Sequence, residues 1–162
     1  MIVVALGANL PSQNRAPQDT LRAALELFAQ YGIAVLSVSP FYASQAWPDP
    51  GDPPFVNAVA IVETELSPAA LMNALHALEE AFGRKRSVKN APRTLDLDLV
   101  DYDGRVENGP PQLPHPAIAE RAFVLVPLRD VAPQWRHPVS GKTADALIAA
   151  LPDQGGGVTR LD

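Results

Sequence analysis

The chain begins with a short apolar segment and then changes to helical spacing. Residues 2–6 are apolar and mostly β-branched, and Gly7 follows them. A segment of this length is too short for a helix and is typical of a buried strand. Apolar side chains then recur at intervals of three and four between residues 21 and 28. With Pro17 as a start signal and Gly32 as a stop signal, this pattern predicts the first helix.

Two β-branched segments and a second helix follow. Residues 33–42, which Pro40 interrupts, and residues 55–65 predict strands that pair with each other across a proline-rich connection. Ser67 is a typical N-cap, and the proline after it suits the first helical position. The apolar stripe from there to Gly83 predicts an amphipathic helix.

Residues 94–102 show period-2 alternation, with leucine at every second position and Asp96 and Asp98 between the leucines. This pattern predicts a half-buried strand. The turn at Asp103 and Gly104 ends it, and Asp101 and Asp103 are expected to serve only this strand exit and turn. The resulting order, βαββαβ, predicts an α+β ferredoxin-like fold. Two helices then pack on one face of an antiparallel sheet, and the other face is available for a site.

The pattern is weaker after residue 110. Residues 117–121 predict a helical turn, residues 123–128 fit either an extended or a helical segment, and residues 143–151 predict a terminal helix. The glycines at 155–157 favour an irregular stretch. No linker or repeat separates these C-terminal additions from the rest, so the sequence predicts a single domain over residues 1–162.

Composition and charge narrow the function classes. The 162 residues are 47% hydrophobic and 19% charged, enough for a sizeable core. The absence of cysteine excludes disulfides, a thiol nucleophile and cysteine-ligated zinc. A net charge of -5 argues against general binding to nucleic acid or anionic membrane. Without a signal peptide or membrane span in the pattern, we expect a cytoplasmic protein and a monomer.

Asp96 and Asp98 are the leading candidates for chemistry. Side chains at i and i+2 of a strand share a face, with their Cα atoms roughly 6.6 Å apart. An isolated pair of this kind is also compatible with a solvated strand face. Five basic residues, however, lie between Gly83 and Thr94, just before the pair. Carboxylates beside a basic loop suit Mg²⁺ and phosphate chemistry, and no P-loop motif is present.

Two other places offer candidate binding groups. His115 lies between two prolines, which restrict its backbone, although a surface turn is an alternative interpretation. Phe55 and Asn57 share a strand face and present a ring and an amide together. They are either a core residue beside a ladder amide or a slot for a flat heteroaromatic ring, to which Trp47 is near in sequence.

These motifs together resemble the 6-hydroxymethyl-7,8-dihydropterin pyrophosphokinase family of folate biosynthesis. The resemblance runs from residue 6 to about residue 133. The segments that carry it are Leu6-Gly7-Ala8-Asn9, residues 39–44, Phe55-Val56-Asn57-Ala58, Gly83-Arg84, Pro92-Arg93-Thr94-Leu95-Asp96-Leu97-Asp98, Leu113-Pro114-His115-Pro116 and residues 120–128. It implies a ferredoxin-like fold and an ATP-dependent, Mg²⁺-dependent pyrophosphokinase. The implied reaction transfers pyrophosphate from ATP to the pterin hydroxymethyl group and releases AMP.

The resemblance also implies roles for individual residues. Asp96 and Asp98 would hold two Mg²⁺ ions that bridge the ATP phosphates, and Arg84 and Arg93 would contact the phosphates or a closing loop. The implied ATP-binding set adds Glu79, at the interface of the two substrates, His115 and Arg121. The implied pterin-binding set is Ser44, Trp47, Phe55, Asn57 and Phe123, with Asn57 hydrogen-bonded to the pterin and Phe123 stacked on it.

Two alternatives remain open at this point. One is a non-catalytic ferredoxin-like module that binds RNA or a small ligand, although RNA binding favours aromatic residues on the central strands, where this chain has aspartates. The other is a metal-dependent hydrolase that uses the same aspartate pair. Nucleotide turnover with and without the pterin distinguishes all three.

Overall fold

The computed structural model describes residues 1–9, 14–45, 50–83 and 94–161. Its strands are β1 (Ile2–Ala8), β2 (Ala34–Val38), β3 (Tyr42–Ser44), β4 (Phe55–Glu63), β5 (Asp96–Tyr102), β6 (Glu107–Asn108), β7 (Gln112–Leu113) and β8 (Val158–Arg160). Its α-helices are α1 (Pro17–Leu27), α2 (Pro68–Ala81), α3 (Ala122–Val131) and α4 (Ala144–Ala149). Short 3₁₀ turns occupy Phe28–Tyr31 and Ile118–Glu120. No helix among the described residues is long and apolar enough to cross a membrane.

The main sheet is antiparallel and has the order β5-β1-β4-β3-β8, with β2 also paired to β4. The predicted pairing of residues 33–42 with residues 55–65 is confirmed. The paired segment is two strands, β2 and β3, which lie end to end along β4 on either side of Pro40. Because proline has no amide to donate, it suits this break in the ladder. The βαββαβ order and the α+β fold are confirmed.

Both faces of the sheet are covered, and the division follows the alternation of side chains along β1. Ile2, Val4 and Leu6 face α1 and α2 in one apolar cluster. Val3 and Ala5 face the opposite way and pack with residues of α3 and α4 in a second cluster. The expectation of one free face therefore holds for part of the sheet, because the C-terminal additions cover the rest.

The ends of the second helix follow the predicted signals. The Ser67 side chain accepts a hydrogen bond from the Ala70 amide at 3.2 Å, as an N-cap does. The helix ends at Ala81, and Gly83 adopts a positive φ of 85° just beyond it.

The elements after residue 110 were harder to predict. Residues 123–128 belong to a helix that contains Pro127, and β8 had no predicted counterpart.

Asp101 differs from the sequence expectation. The β1–β5 register shifts where Val4 pairs with Leu99 and Val3 pairs with Asp101, so Val100 is an extra residue in the strand. This bulge turns Asp101 away from the leucine face. Asp101 is 3% exposed and accepts hydrogen bonds from Trp135 Nε1 at 2.8 Å and the Gly104 amide at 2.9 Å. Asp101 does lie at the strand exit, but it is also a buried anchor for the C-terminal addition.

Candidate active site

A cleft of about 810 Å³ opens on the sheet face that α3 and α4 leave uncovered. This volume lies within the range typical of small-molecule sites. Seven side chains that the sequence singled out line it: Ser44, Phe55, Asn57, Asp96, Asp98, Arg121 and Phe123. They come from β3, β4, β5 and the start of α3, so the fold brings together residues that lie up to 79 positions apart.

Small residues of β1 form the floor of the cleft. Gly7 pairs with Asn57 on one side and with Asp96 on the other, and Ala5 pairs with Asp98. Directly paired residues of an antiparallel sheet share a face, so the carboxylates and the Asn57 amide border the same floor. A methyl group at Gly7 would lie 3.3 Å from Asn57 Oδ1. Glycine at this position therefore leaves room for the amide.

The acidic side of the cleft contains Asp96 and Asp98, both partly exposed. Arg121 Nη1 lies 3.2 Å from Asp98 Oδ2, and the Arg121 guanidinium lies 5.7 Å from the centre of the Phe123 ring. One arginine thus connects the carboxylates to the aromatic wall. Arg121 offsets part of the repulsion between the two carboxylates and leaves the aspartate pair accessible from the cleft.

The two carboxylates fit a hard divalent cation. Among the described residues, no group of three or more histidine, cysteine or acidic side chains is arranged to hold a metal ion. Two carboxylates on one strand face leave most of the coordination sphere to other oxygen ligands. That is the usual situation of Mg²⁺ bound together with substrate phosphates. The donor set therefore suits magnesium with a nucleotide better than a metal held by protein alone.

His115 lies beside the cleft in a neutral form. Burial, helped by the nearby Arg121 guanidinium and opposed by Asp96, lowers the pKa of His115 from 6.5 to about 4. His115 Nδ1 accepts a hydrogen bond from the Ala117 amide at 3.1 Å. In the neutral ring the proton is then on Nε2. His115 thus offers a single N–H donor whose orientation the backbone determines.

The opposite side of the cleft combines an amide with two aromatic rings. Asn57 is 3% exposed, and its Nδ2 donates a hydrogen bond to Ser44 Oγ at 2.8 Å. This bond fixes the plane of the amide above Gly7. Phe55 and Phe123 line the same space from β4 and α3. An oriented amide between phenylalanine rings is suited to a flat heteroaromatic ligand with polar edges.

Glu79, which the resemblance implies as an ATP-binding residue, is buried in this structure. It is 1% exposed on α2 and does not line the cleft. Its Oε2 accepts a hydrogen bond from the Leu97 amide at 2.8 Å. Because β5 is the edge strand of the sheet, its outward amides need partners from outside the sheet. Glu79 supplies one between Asp96 and Asp98, which makes it a positioning group for the strand in this structure.

Three predicted site residues lie outside the described part of the chain, and the cleft has lining residues that were not predicted. Trp47, Arg84 and Arg93 lie outside the described residues, so their predicted roles stay predictions. Beyond the β1 floor, the lining residues that were not predicted as site residues are Gln45, Ala117, Glu120, Ala122, Val124, Leu151, Pro152, Asp153, Gly157 and Val158. Five of these belong to the C-terminal segment. For Gln45 and Glu120, the available signal was their place next to Ser44 and Arg121 in the sequence.

Comparison with known proteins gives a consistent result. A family model described as 7,8-dihydro-6-hydroxymethylpterin-pyrophosphokinase matches residues 3–133. The chain is 43% identical over 148 residues to the 2-amino-4-hydroxy-6-hydroxymethyldihydropteridine pyrophosphokinase of Synechocystis sp., covering 90% of this chain and 73% of that protein. It is 39% identical over 156 residues to the protein of the same name from Pseudomonas aeruginosa, covering 95% of this chain and 93% of that protein.

Solved structures agree on the fold. The crystal structure of Plasmodium falciparum HPPK-DHPS wild type with pteroate superimposes with a TM-score of 0.70 at 13% sequence identity. The match covers 90% of this chain and 43% of that one, so this chain spans less than half of the Plasmodium protein. At this identity the likeness concerns the fold alone.

Proposed function

The chain belongs to the 7,8-dihydro-6-hydroxymethylpterin-pyrophosphokinase family, and we propose that it carries out the reaction of this family with the groups that line the cleft. It is an ATP-dependent pyrophosphokinase of folate biosynthesis. Its substrates are ATP and 6-hydroxymethyl-7,8-dihydropterin, and its products are AMP and the pterin diphosphate. The observation that carries the site assignment is the register of Gly7, which has Asn57 on one side and Asp96 on the other.

The acidic side of the cleft takes the nucleotide in this proposal. Asp96 and Asp98 would hold two Mg²⁺ ions, which would supply neutralisation of charge on the phosphate oxygens. Arg121, already beside Asp98, is within reach of the same phosphates, and its planar guanidinium suits their oxygens. His115 contributes its Nε2–H as a neutral donor. Arg84 and Arg93, predicted from the sequence, add positive charge from the basic loop.

The amide and aromatic side takes the pterin. Asn57 presents both a carbonyl oxygen and an N–H, which match the alternating donors and acceptors of a pterin edge. Ser44 keeps this amide in one plane through its hydrogen bond. Phe55 and Phe123 supply the faces between which a flat ring stacks. Trp47 is the further predicted contributor from the loop after β3.

The chemistry asks the protein mainly for positioning. The hydroxymethyl oxygen attacks the β-phosphorus of ATP and loses its proton, while the bond from this phosphorus to the oxygen bridging it to the α-phosphorus breaks and AMP leaves. The substrate brings its own nucleophile, so no serine, cysteine or histidine nucleophile is needed. Two binding regions on one rigid floor hold the hydroxyl and the phosphate chain in the required order.

The test is to follow the reaction by ³¹P NMR with ATP, Mg²⁺ and hydroxymethyl-dihydropterin. We expect signals of a diphosphate ester and of AMP, with the ATP β signal lost and no ADP formed. Stoichiometric ADP would refute attack at the β-phosphorus. Nucleotide breakdown without the pterin would favour the hydrolase alternative, and an absence of turnover with retained ligand binding would favour the binding module. The family match supports neither alternative.

From the sequence and the resemblance we also infer two Mg²⁺ ions, a single domain over residues 1–162, a monomeric state and a cytoplasmic location. We expect neither nucleic acid nor membrane as a partner. Equilibrium dialysis with Mg²⁺ and a non-reacting ATP analogue tests the first, and sedimentation analysis tests the monomer.

A further inference from the structure

The C-terminal segment forms one wall of the cleft, although the family match ends at residue 133. Leu151, Pro152, Asp153, Gly157 and Val158 all line the space that Ser44, Asn57 and Phe123 share. No role follows for these residues from the motifs or from the family match. Their place in the cleft raises the question of what they contact when the pterin is bound.

Strand pairing fixes the position of Val158 relative to the pterin side of the cleft. β8 runs antiparallel to β3, and Val158 pairs with Ser44 in this register. The Leu161 amide extends the pairing by donating to the Phe41 carbonyl at 2.8 Å. Ser44 is the residue that accepts the hydrogen bond from Asn57. Val158 is therefore one strand away from the group that orients the Asn57 amide.

The turn before β8 is packed against the helices. Gly155 has a φ of 80°, and a methyl group there would lie 3.2 Å from both Ile148 and Val126. The Val158 amide donates to the Gly155 carbonyl at 3.2 Å, and the Gly155 amide donates to Asp153 Oδ1 at 3.2 Å. A turn seated this closely on α3 and α4 holds Leu151 and Val158 at its two ends in fixed positions.

Leu151 and Val158 continue the aromatic wall. Both are partly buried and pack against the same apolar cluster as Phe123, and all three also face the cleft. Side chains that are half in a core and half in a cavity have little freedom to move aside for a ligand. The three together present a continuous apolar surface next to Ser44 and Asn57.

We propose that Leu151 and Val158 are specificity-determining residues that form the apolar end of the pterin slot and limit its length. The inference rests on the proposed assignment of this side of the cleft to the pterin. It adds that the chain selects its ring substrate with a C-terminal strand and turn, in addition to the predicted residues of β3, β4 and α3. The nucleotide side of the cleft is lined by other residues.

The test compares substitutions at Val158 with a matched control on the same strand. Val158→Ala removes two methyl groups from the wall, Val158→Thr keeps the branched shape but replaces one methyl with a hydroxyl, and Val158→Phe fills the slot. Thr159→Ala is the control, because Thr159 is exposed, does not line the cleft and is adjacent in sequence. Calorimetry measures the Kd for the pterin with a non-reacting ATP analogue present, and the Kd for the analogue alone.

We expect Val158→Ala and Val158→Thr each to raise the pterin Kd roughly tenfold, as small changes in apolar pockets do, and Val158→Phe to raise it more. The Kd for the ATP analogue should stay within about twofold, and Thr159→Ala should change neither constant. Val158→Thr preserves strand preference, so it remains informative even where the alanine or phenylalanine variant fails to fold.

Asn57→Ala separates failure of this inference from failure of the slot itself. If Asn57→Ala weakens pterin binding and the Val158 variants do not, the slot stands and the proposal about the C-terminal wall is wrong. If Asn57→Ala also leaves the pterin Kd unchanged, the slot is misplaced and the proposal falls with it. An equal loss of pterin and nucleotide binding in the Val158 variants would indicate general disruption and likewise overturn it.

Discussion

Replacing Asp101 by asparagine should destabilise the protein without a change in shape. The two carboxylate oxygens accept separate hydrogen bonds, Oδ1 from the Gly104 amide and Oδ2 from Trp135 Nε1. Asparagine keeps one acceptor and turns an N–H₂ donor toward the other donor. Trp135 is 4% exposed, so water cannot replace the lost bond. Leaving a buried donor unpaired costs about 1–3 kcal/mol, and we expect a loss of about 2 kcal/mol.

The assay is thermal unfolding followed by circular dichroism. For a chain of this size each kcal/mol shifts the Tm by about 2–4 °C, so Asp101→Asn should lower the Tm by about 4–8 °C. Asp103→Asn is the matched control. Asp103 is exposed, pairs with the N-terminus at 2.8 Å, and has a positive φ of 54°, which asparagine also tolerates. A surface pair contributes about 0–1 kcal/mol, so the control should shift the Tm by at most about 4 °C. Equal Tm values for Asp101→Asn and the wild type would refute the anchoring role of Asp101.

Three further predictions concern the cleft. Asp96→Asn and Asp98→Asn should each abolish nearly all turnover while the Tm stays close to the wild-type value, because each removes a metal-binding charge that is not part of the core. Full activity in the double variant would contradict the assignment of these residues to metal binding. Gly7→Ala should raise the pterin Kd roughly tenfold through the 3.3 Å approach to Asn57 Oδ1, with nucleotide affinity kept, and an unchanged pterin Kd would count against the floor geometry. The lowered pKa of His115, about 4 against 6.5 when unfolded, means that the unfolded chain binds more protons between these values. The contribution of His115 to the free energy of unfolding should therefore be fully present above pH 6.5 and fall as the pH drops toward 4. His115→Gln should flatten this part of the profile of Tm against pH, measured without Mg²⁺ or nucleotide. An unchanged slope would exclude His115 as the cause.

The sequence predicted the elements whose periodicity and end signals are both strong. The helix that begins after Ser67 and the strand that carries Asp96 and Asp98 have clear caps and clear alternation, and both were predicted correctly in kind. Asp101 was misjudged because a period-2 pattern assumes an uninterrupted strand. The extra residue Val100 is determined by the fit of β5 to β1, a pairing between segments far apart in the chain.

In the candidate site too, local patterns could be predicted from the sequence, whereas contacts between distant segments could not. Side chains on a single strand, such as Asp96 with Asp98 or Phe55 with Asn57, could be grouped from spacing alone. The joining of these groups across Gly7 needed the sheet register. The C-terminal wall could not be predicted, because Leu151 and Val158 are ordinary apolar residues and β8 is three residues long with glycines before it. The ATP-binding role of Glu79 came from the resemblance and stays a prediction, and its hydrogen bond to Leu97 could not be predicted because it depends on β5 being an edge strand.

The central position of β1 has a consequence for how the protein is made. β1 precedes both of its partners, β4 and β5, in the chain, and all seven of its residues are buried in the final sheet. About 90 residues separate the end of β1 from the end of β5, which at typical rates of synthesis is roughly 5–20 seconds. During that time this uncharged β-branched segment lacks at least one of its two partners, because β5 is completed well after β4. An incompletely paired apolar strand is prone to aggregation, and a pause in translation before residue 102 prolongs this exposure of β1.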